Sequence, residues 1–277
     1  MMKDLIRLSD IGKNGAEEIF EIADGLERGE YKDTLNGKSA VMFFPASSIR
    51  TRISFEKGVY LLSGQSILFP NETLDKKEEL RDVAGYLDNW ADLIFVRHRS
   101  IGVVEELAKY ADAPVINVMT DANHPCEILS DIYALKKLGK DIEKSRFLFF
   151  GTNGNIGRTW KAAADIFGFE LEHCCAKGYE LDGLKTHYDL EEAARGKDII
   201  CTDALPQSTL PDFSGLCVTP EVMAAANEGA VLNPCPPFYR DEEVSAEVID
   251  SPYFVGYGFK KYLLTVQQAI MIYCILK

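Results

Sequence analysis

Ser48, Arg50, Thr51 and Arg52 fall within five consecutive positions, in a chain of 277 residues whose formal net charge is −13. They follow the apolar, β-leaning run "SAVMFF", and after them Ile53, Val59 and Leu62 recur at roughly helical spacing up to Ser63 and Gly64. Ser48 therefore reads as the cap of a helix that leaves a strand. A helix start offers unpaired backbone N–H groups and a partial positive charge. Two guanidiniums and two hydroxyls added there make a pocket for a small multivalent anion, phosphate above all. The bland competitor is a capped surface helix with two solvated arginines.

Two further strand-like runs end in groups of the same kind. After "DLIFV" come Arg97, His98 and Arg99, and after "PVINVM" comes "TDANHPCE", with His124 at a helix start. In open α/β sheets ligands sit beyond the carboxyl ends of strands, so these groups should converge on one edge. His124 could then donate to a carbonyl oxygen while Arg50 and Arg97 hold a phosphate, the arrangement for acyl transfer from an acyl phosphate. A cap or a satisfied structural histidine is the alternative. Cys126 lies two residues from His124, but residues two apart on a helix do not face each other, which argues against a Cys/His nucleophile.

The second half opens with "FLFFGTNGNIGRTW", a turn with Gly151, Gly154 and Gly157, followed by Glu170 or Glu172 at the end of the next strand. This suggests a dinucleotide fold, yet G-x-x-G-x-x-G is not the G-x-G-x-x-G fingerprint, and tight βα turns use glycine without any cofactor. Arg158 is placed to meet a carboxylate in a cleft, or else lies in solvent. Cys174 and Cys175 belong in or beside a buried strand. Cys235, in "NPCPPFYR", sits where Pro234, Pro236 and Pro237 stiffen the backbone, a loop able to aim a carbonyl oxygen at a ligand.

Short apolar runs alternate with amphipathic segments along the whole chain, which predicts an α/β protein of two domains. Strands are expected at "SAVMFF", "SILFP", "DLIFVRH" and "PVINVM", then at "SRFLFFG", "FELEHCC", "DIICTDA" and "AVLNPCP". Each set should form a parallel sheet flanked by helices. The first domain is expected over residues 1–129, completed by a C-terminal helix at 262–277, and the second over 130–261. A helix from Pro125, with Ile128, Leu129, Ile132, Tyr133 and Leu135 as its stripe, should bridge them. The last segment, "KKYLLTVQQAIMIYCILK", is apolar around much of its circumference and must be buried.

Hydrophobic residues make up 47% and charged residues 26%, ordinary for a folded protein. The acidic balance and the lack of a Lys/Arg-rich run argue against nucleic acid or an anionic membrane as partner. No apolar stretch approaches the roughly 20 residues of a membrane span, and the N-terminal residues lack a signal-peptide core, so a cytoplasmic location is expected. Seven cysteines without a Cys-x-x-Cys pair suit reduced thiols, and four histidines without a cluster make a metal site unexpected.

Taken in order, these motifs resemble the aspartate/ornithine carbamoyltransferase family along nearly the whole chain. Ser48-Ile49-Arg50-Thr51-Arg52 resembles the S-T-R-T-R carbamoyl-phosphate motif, and "KKEELRD" the mobile loop bearing a lysine. Arg97 matches the arginine after the third strand, "HPCE" resembles H-P-x-Q, and "NPCPP" the late H-C-L-P or H-P-L-P loop. The resemblance implies no metal or organic cofactor, and a homotrimer with active sites shared between neighbours. It implies that Ser48, Arg50, Thr51 and Arg97 bind phosphate oxygens, with Arg97 and His124 also meeting the carbamoyl oxygen. It implies that Lys76 or Lys77 closes over the site, and that Ile49, Arg52, Glu127, Cys235 and Pro236 take substrate-binding positions.

Three departures accompany the match. Ile49 replaces a hydroxyl-bearing Thr, Glu127 replaces Gln, and Pro234 or Asn233 stands where the late loop has His. Glu127 can still accept a hydrogen bond from a carbamoyl NH₂, though it adds negative charge near a phosphate. "GRT" at Gly157-Arg158-Thr159 looks like the aspartate branch, whereas Asp203 in "TDALPQS" falls where the ornithine branch holds an ammonium group. The S-M-G segment of ornithine enzymes is absent, as is their last-helix arginine, where Leu263 aligns. The expected activity is carbamoyl transfer to an amino acid or related amine, ornithine slightly ahead of aspartate. The alternatives are an NAD-dependent dehydrogenase resting on Gly151 to Gly157, and a non-catalytic protein that keeps the fold for binding.

Overall fold

The computed structural model describes residues 4–276. Its first half runs α1 (Leu8–Glu27), β1 (Ser39–Phe43), α2 (Ile49–Leu61), β2 (Gln65–Phe69), α3 (Leu80–Leu87), β3 (Leu93–Arg97), α4 (Ile101–Tyr110), β4 (Val115–Met119) and α5 (Pro125–Lys137). The second runs β5 (Arg146–Phe150), α6 (Asn155–Phe167), β6 (Glu170–Cys174), β7 (Thr186–His187), α7 (Leu190–Ala194), β8 (Ile199–Thr202), α8 (Pro220–Ala225), β9 (Val231–Pro234), α9 (Ala246–Ile249) and α10 (Tyr262–Leu276). Single 3₁₀ turns cover Asn71–Asp75 and Tyr257–Lys261. Two compact units result. The first runs to Ala134 and takes in the chain from Lys260 onward, and the second is Leu135–Phe259.

The first unit is built on a parallel sheet of order β2-β1-β3-β4. A parallel sheet is covered on both faces, so its inner strands are apolar without alternation. Accordingly Val41, Phe43, Ile94, Val96 and Val115 are buried with Val104 and Leu107 of α4, while Phe55 of α2 lies 4.9 Å from the Phe95 ring. The edge strand β2 keeps Gln65 and Phe69 exposed. In α2 the buried face is Thr51, Phe55, Gly58 and Val59. Ile53, expected on that face, is 60% exposed, because it lies on the side opposite Phe55.

α10 is apolar around its circumference, as its sequence required, and packs against α1 and α2. A Cβ at Gly15 would stand 2.6 Å from the Tyr273 hydroxyl, so α1 and α10 can approach only because that position is glycine. Among the described residues, no helix is long and apolar enough to cross a membrane.

The second unit carries a parallel sheet of order β7-β6-β5-β8-β9. The eight strands expected from sequence all form; β7, only two residues long, is too short to show a period. Leu148, Phe150, Ile200 and Leu232 are buried with Val218, Val244 and Val248. Trp160 of α6 packs 5.6 Å from Phe147, which stacks at 4.2 Å on Phe169. The glycine-rich turn belongs to this packing: a Cβ at Gly157 would meet Phe149 Cε1 at 2.5 Å and Leu181 at 3.0 Å. Gly157 is small so that α6 can lie on β5.

Candidate active site

In the first unit β1 has β2 on one side and β3 on the other, so the connections leaving β1 and β3 diverge and open a crevice at their carboxyl ends. Arg97, the last residue of β3, reaches into it. Its Nη1 donates to Ser48 Oγ at 2.9 Å and to Thr51 Oγ1 at 3.0 Å, and both hydroxyl residues are buried. Ser48 holds the N-cap position of α2, but its side chain does not cap the helix. The hydroxyl expected to satisfy a backbone N–H is oriented instead by the guanidinium.

Arg50 is exposed, and its charge is felt at Glu127. Arg52 is drawn elsewhere: its Nε pairs with Glu56 at 2.6 Å, one turn further along α2 on an exposed face. Ile49 is 68% exposed at the first helical position. Lys76 and Lys77 are exposed in the segment between the 3₁₀ turn and α3. That segment is anchored at its start, since His98 Nε2 lies 3.0 Å from Asp75 Oδ1.

His124 immediately precedes α5 and is buried. Its loop is braced by Asn123, whose Oδ1 accepts from Asn117 Nδ2 at 2.6 Å and Thr120 Oγ1 at 2.9 Å. Burial pushes the imidazole down to about 4, with the charges of Arg97 and Lys260 acting the same way and Glu127 opposing them. At neutral pH it is uncharged, so it can donate one hydrogen bond to a carbonyl oxygen without bringing a cation. The neighbouring Cys126 is no nucleophile: its Sγ donates to Asn117 O at 3.5 Å, and burial pushes its thiol upward.

Glu127 is buried one turn from His124. Burial raises its carboxyl, but Lys260 foremost, then His124 and Arg50, hold it below the ordinary carboxylate value. The Lys260 ammonium sits 2.7 Å from Glu127 Oε1 and 2.6 Å from Asp131 Oδ1. Sequence reasoning missed Lys260 and Asp131. A signal existed, because a buried carboxylate at position 127 requires a cation, and "KK" directly precedes the apolar last helix.

In the second unit the reversal of strand order falls between β5 and β8. Asp203 follows β8; its N–H donates to Phe150 O at 3.3 Å, and its Oδ1 accepts from Ala204 N at 3.0 Å. Arg158 lies in the first turn of α6 and is exposed. Cys235 is buried, and its N–H donates to Thr202 O at 3.0 Å, which ties the Cys235-Pro236 loop to the end of β8. A cavity of about 430 Å³ opens here, lined by Ala204, Leu205, Pro206, Pro237, Tyr239 and Glu242 among others. Beneath it Glu243 is fully buried, and desolvation above all, with Glu242 and Asp203 adding, pushes its carboxyl up to about 7.

The acidic residues that could have met a ribose have other partners. Glu172 pairs with Lys197 at 2.8 Å, His187 at 2.7 Å and Lys185 at 3.0 Å. Although burial opposes it, these partners pull its carboxyl down to about 2. Glu170 is exposed and lies 3.4 Å from Arg146. Neither stands at the end of the strand, where the sequence pattern put them: Glu170 begins β6 and Glu172 is its middle residue, while Gly157 has a packing role.

Against known proteins, residues 3–137 match the carbamoyl-P binding domain of the aspartate/ornithine carbamoyltransferases, and residues 143–274 match their Asp/Orn binding domain. Ornithine carbamoyltransferases from Syntrophotalea carbinolica and Oleidesulfovibrio alaskensis are 32% and 33% identical to this chain, each alignment covering 98% of both sequences. A crystal structure of the anabolic ornithine carbamoyltransferase of Campylobacter jejuni superposes with a TM-score of 0.91 at 26% identity, covering 99% of each chain.

Proposed function

Because the chain belongs to the aspartate/ornithine carbamoyltransferase family, an enzyme family of transferases, we propose that it moves the carbamoyl group of carbamoyl phosphate to the amine of an amino acid or related amine, with ornithine favoured slightly over aspartate. The observation that carries the donor half of this reading is Arg97 holding the hydroxyls of Ser48 and Thr51 at the crevice of the first unit. In the proposed complex these three groups and Arg50 bind the phosphate oxygens, with Arg97 and neutral His124 also donating to the carbamoyl oxygen. Glu127 accepts from the carbamoyl NH₂. The amine nitrogen attacks the carbonyl carbon, a C–N bond forms, and the C–O bond to phosphate breaks with its electron pair leaving on phosphate. The acceptor amine gives up a proton, which the departing phosphate takes. Donors already fixed at the oxyanion and the leaving group need no reorganisation when charge develops, which is where the rate is gained.

For the acceptor, Asp203 offers a carboxylate to an ammonium group, and Arg158 a guanidinium to a carboxylate. The names of the relatives at 32–33% identity favour ornithine. We assign Lys76 or Lys77 to closure over the donor, and a homotrimer as the assembly; the exposed apolar Ile49, Ile53, Tyr60 and Trp90 on the first unit support self-association. Six of the seven cysteines are buried, and with no Cys-x-x-Cys pair in the sequence they support a reducing, cytoplasmic setting. The test is a screen of amines with carbamoyl phosphate, following phosphate release. Turnover with an α,ω-diamino acid bears the reading out; release that needs no amine, or none with any amine, overturns it.

A further inference from the structure

We infer that Lys260 is a positioning residue of the carbamoyl-phosphate site, clamped between Glu127 and Asp131 so that Glu127 stays a carboxylate able to accept from the carbamoyl NH₂ without repelling the phosphate. This rests on the donor-site reading above. Glu127 and Asp131 are four residues apart on α5 and so share a face, where two like charges destabilise a helix. Both are buried, at 5% and 2% exposure, and a buried unpaired carboxylate is costly. Lys260 answers both at once, 2.7 Å from one and 2.6 Å from the other, from the start of the last segment of the same unit.

The position matters because Glu127 stands on the first turn of α5, beside His124, and every charge around it bears on the donor. The groups that face it are His124 before α5, Arg50 on α2, Lys260, and Asp131 on α5. His124 is uncharged at neutral pH, so Lys260 and Arg50 are cations that offset Glu127, and Lys260 also offsets Asp131. Without Lys260, an ionised Glu127 would oppose a phosphate dianion held by Arg97 and Arg50. A glutamine at 127 would accept the same hydrogen bond and need no cation. The glutamate therefore makes donor binding depend on Lys260, a residue 133 positions further along the chain.

A purely structural role predicts something different, namely that Lys260 only fastens the last segment to α5 through Asp131. The two are separated by titrating phosphonoacetamide, a non-reactive isostere of carbamoyl phosphate, into the full-length protein between pH 6 and 8.5. Relative to wild type, Lys260→Met should bind about tenfold more weakly at pH 8, and the deficit should shrink as pH falls and Glu127 takes up a proton. Lys260→Arg should restore most of the affinity, and Lys260→Met in a Glu127→Gln background should bind within about twofold of Glu127→Gln alone. A pH-independent deficit, or the same deficit with glutamine at 127, overturns the proposal.

Should Lys260→Met fail to fold, Asp131→Asn still decides. It removes the fastening partner and leaves the Lys260 ammonium to Glu127, so phosphonoacetamide affinity at pH 8 should hold within about twofold or tighten, whereas a several-fold loss means that the fastening through Asp131 is what the site needs and refutes the positioning role. Wild-type protein that binds neither phosphonoacetamide nor inorganic phosphate overturns the donor-site reading itself, and the role of Lys260 with it. Normal wild-type binding with indifference at Lys260 overturns the latter alone.

Discussion

The Ser48 hydroxyl lies 2.9 Å from Arg97 Nη1, joining the residue just before a helix to the last residue of a strand 49 positions later. Ser48 gives up the usual work of an N-cap side chain for this bond. The guanidinium is thereby held in one orientation before any ligand arrives, and the entropy of ordering a long side chain is not lost on binding. Arg97→Ala should therefore weaken phosphonoacetamide by about 2–4 kcal/mol, and Ser48→Ala by about 0.5–1.5 kcal/mol, through loss of a charge-assisted and a single hydrogen bond respectively. Calorimetry reads both, and no loss at Ser48→Ala would mean that the arginine is held by something other than the Ser48 hydroxyl.

In the proposed site Arg50 meets the anion, whereas Arg52 lies on the surface of α2. Arg50→Ala should cost about 2–4 kcal/mol of carbamoyl-phosphate affinity, as expected for a partner lost from an anion site. Arg52 pairs with Glu56 in solvent, so Arg52→Ala should change neither affinity nor stability by more than about 0.5 kcal/mol. A large affinity loss at Arg52 would show that the pair with Glu56 opens when the donor binds.

Burial pushes the His124 imidazole far below the ordinary histidine value, from 6.5 to about 4. A depressed value means that the neutral form persists as pH falls through 6 and 5. Donor binding and turnover should accordingly show no loss assignable to His124 between pH 8 and about pH 5. Following the His124 ring protons by NMR checks this, and a midpoint near 6.5 would contradict the buried, neutral imidazole.

These residues differ in how visible they were in the sequence, and the reason is physical. Strand ends, turn glycines and the spacing of Ser48, Thr51, Arg97 and His124 are local signals, because each residue's place follows from the element that ends just before it. Both sheets and the helix from Pro125 were legible for the same reason. Lys260 was not, since what gives it meaning is a carboxylate 133 positions earlier, and no period or motif links the two. Ile53 misled in the opposite sense. It fits a helical spacing, but the rotation of α2 on Phe55 turns it outward, and Arg52 beside it is exposed and paired with Glu56. Gly157 was visible as a glycine while its cause, the Phe149 ring, was not.

Glu243 predicts an unusual pH dependence of stability. Its carboxyl is raised from 4.5 to about 7, because burial disfavours the charge. A raised value means the folded state binds the proton more tightly, so the associated stability is present below about pH 4.5 and is lost as pH rises through 7. Glu243→Gln keeps the acceptor for the Tyr239 N–H and removes the titration. Urea denaturation should show the variant gaining on wild type by on the order of 3 kcal/mol between pH 4.5 and pH 8. Parallel curves for the two proteins would mean that the carboxyl is solvated in solution.

In the proposed reaction the acceptor assignment turns on Asp203 and Arg158, and carbamoyl phosphate needs neither. Asp203 follows β8 where the strand order of the second unit reverses, and Arg158 stands in the first turn of α6, which leaves the neighbouring strand β5. A zwitterionic acceptor presents one charge to each. Asp203→Asn keeps shape and hydrogen-bonding capacity but drops the charge, so it should raise the acceptor KM by tenfold or more while phosphonoacetamide affinity stays within about twofold. Arg158→Gln should do the same for acceptors that carry a carboxylate and little for simple amines. The pattern across acceptors then names the class: a penalty at Asp203 confined to diamino acids points to ornithine-like substrates, and a penalty at Arg158 confined to dicarboxylates points to aspartate. If Asp203→Asn leaves KM unchanged for every amine that supports turnover, its carboxylate serves the fold, as at the Ala204 N–H, and the preference for ornithine falls with it.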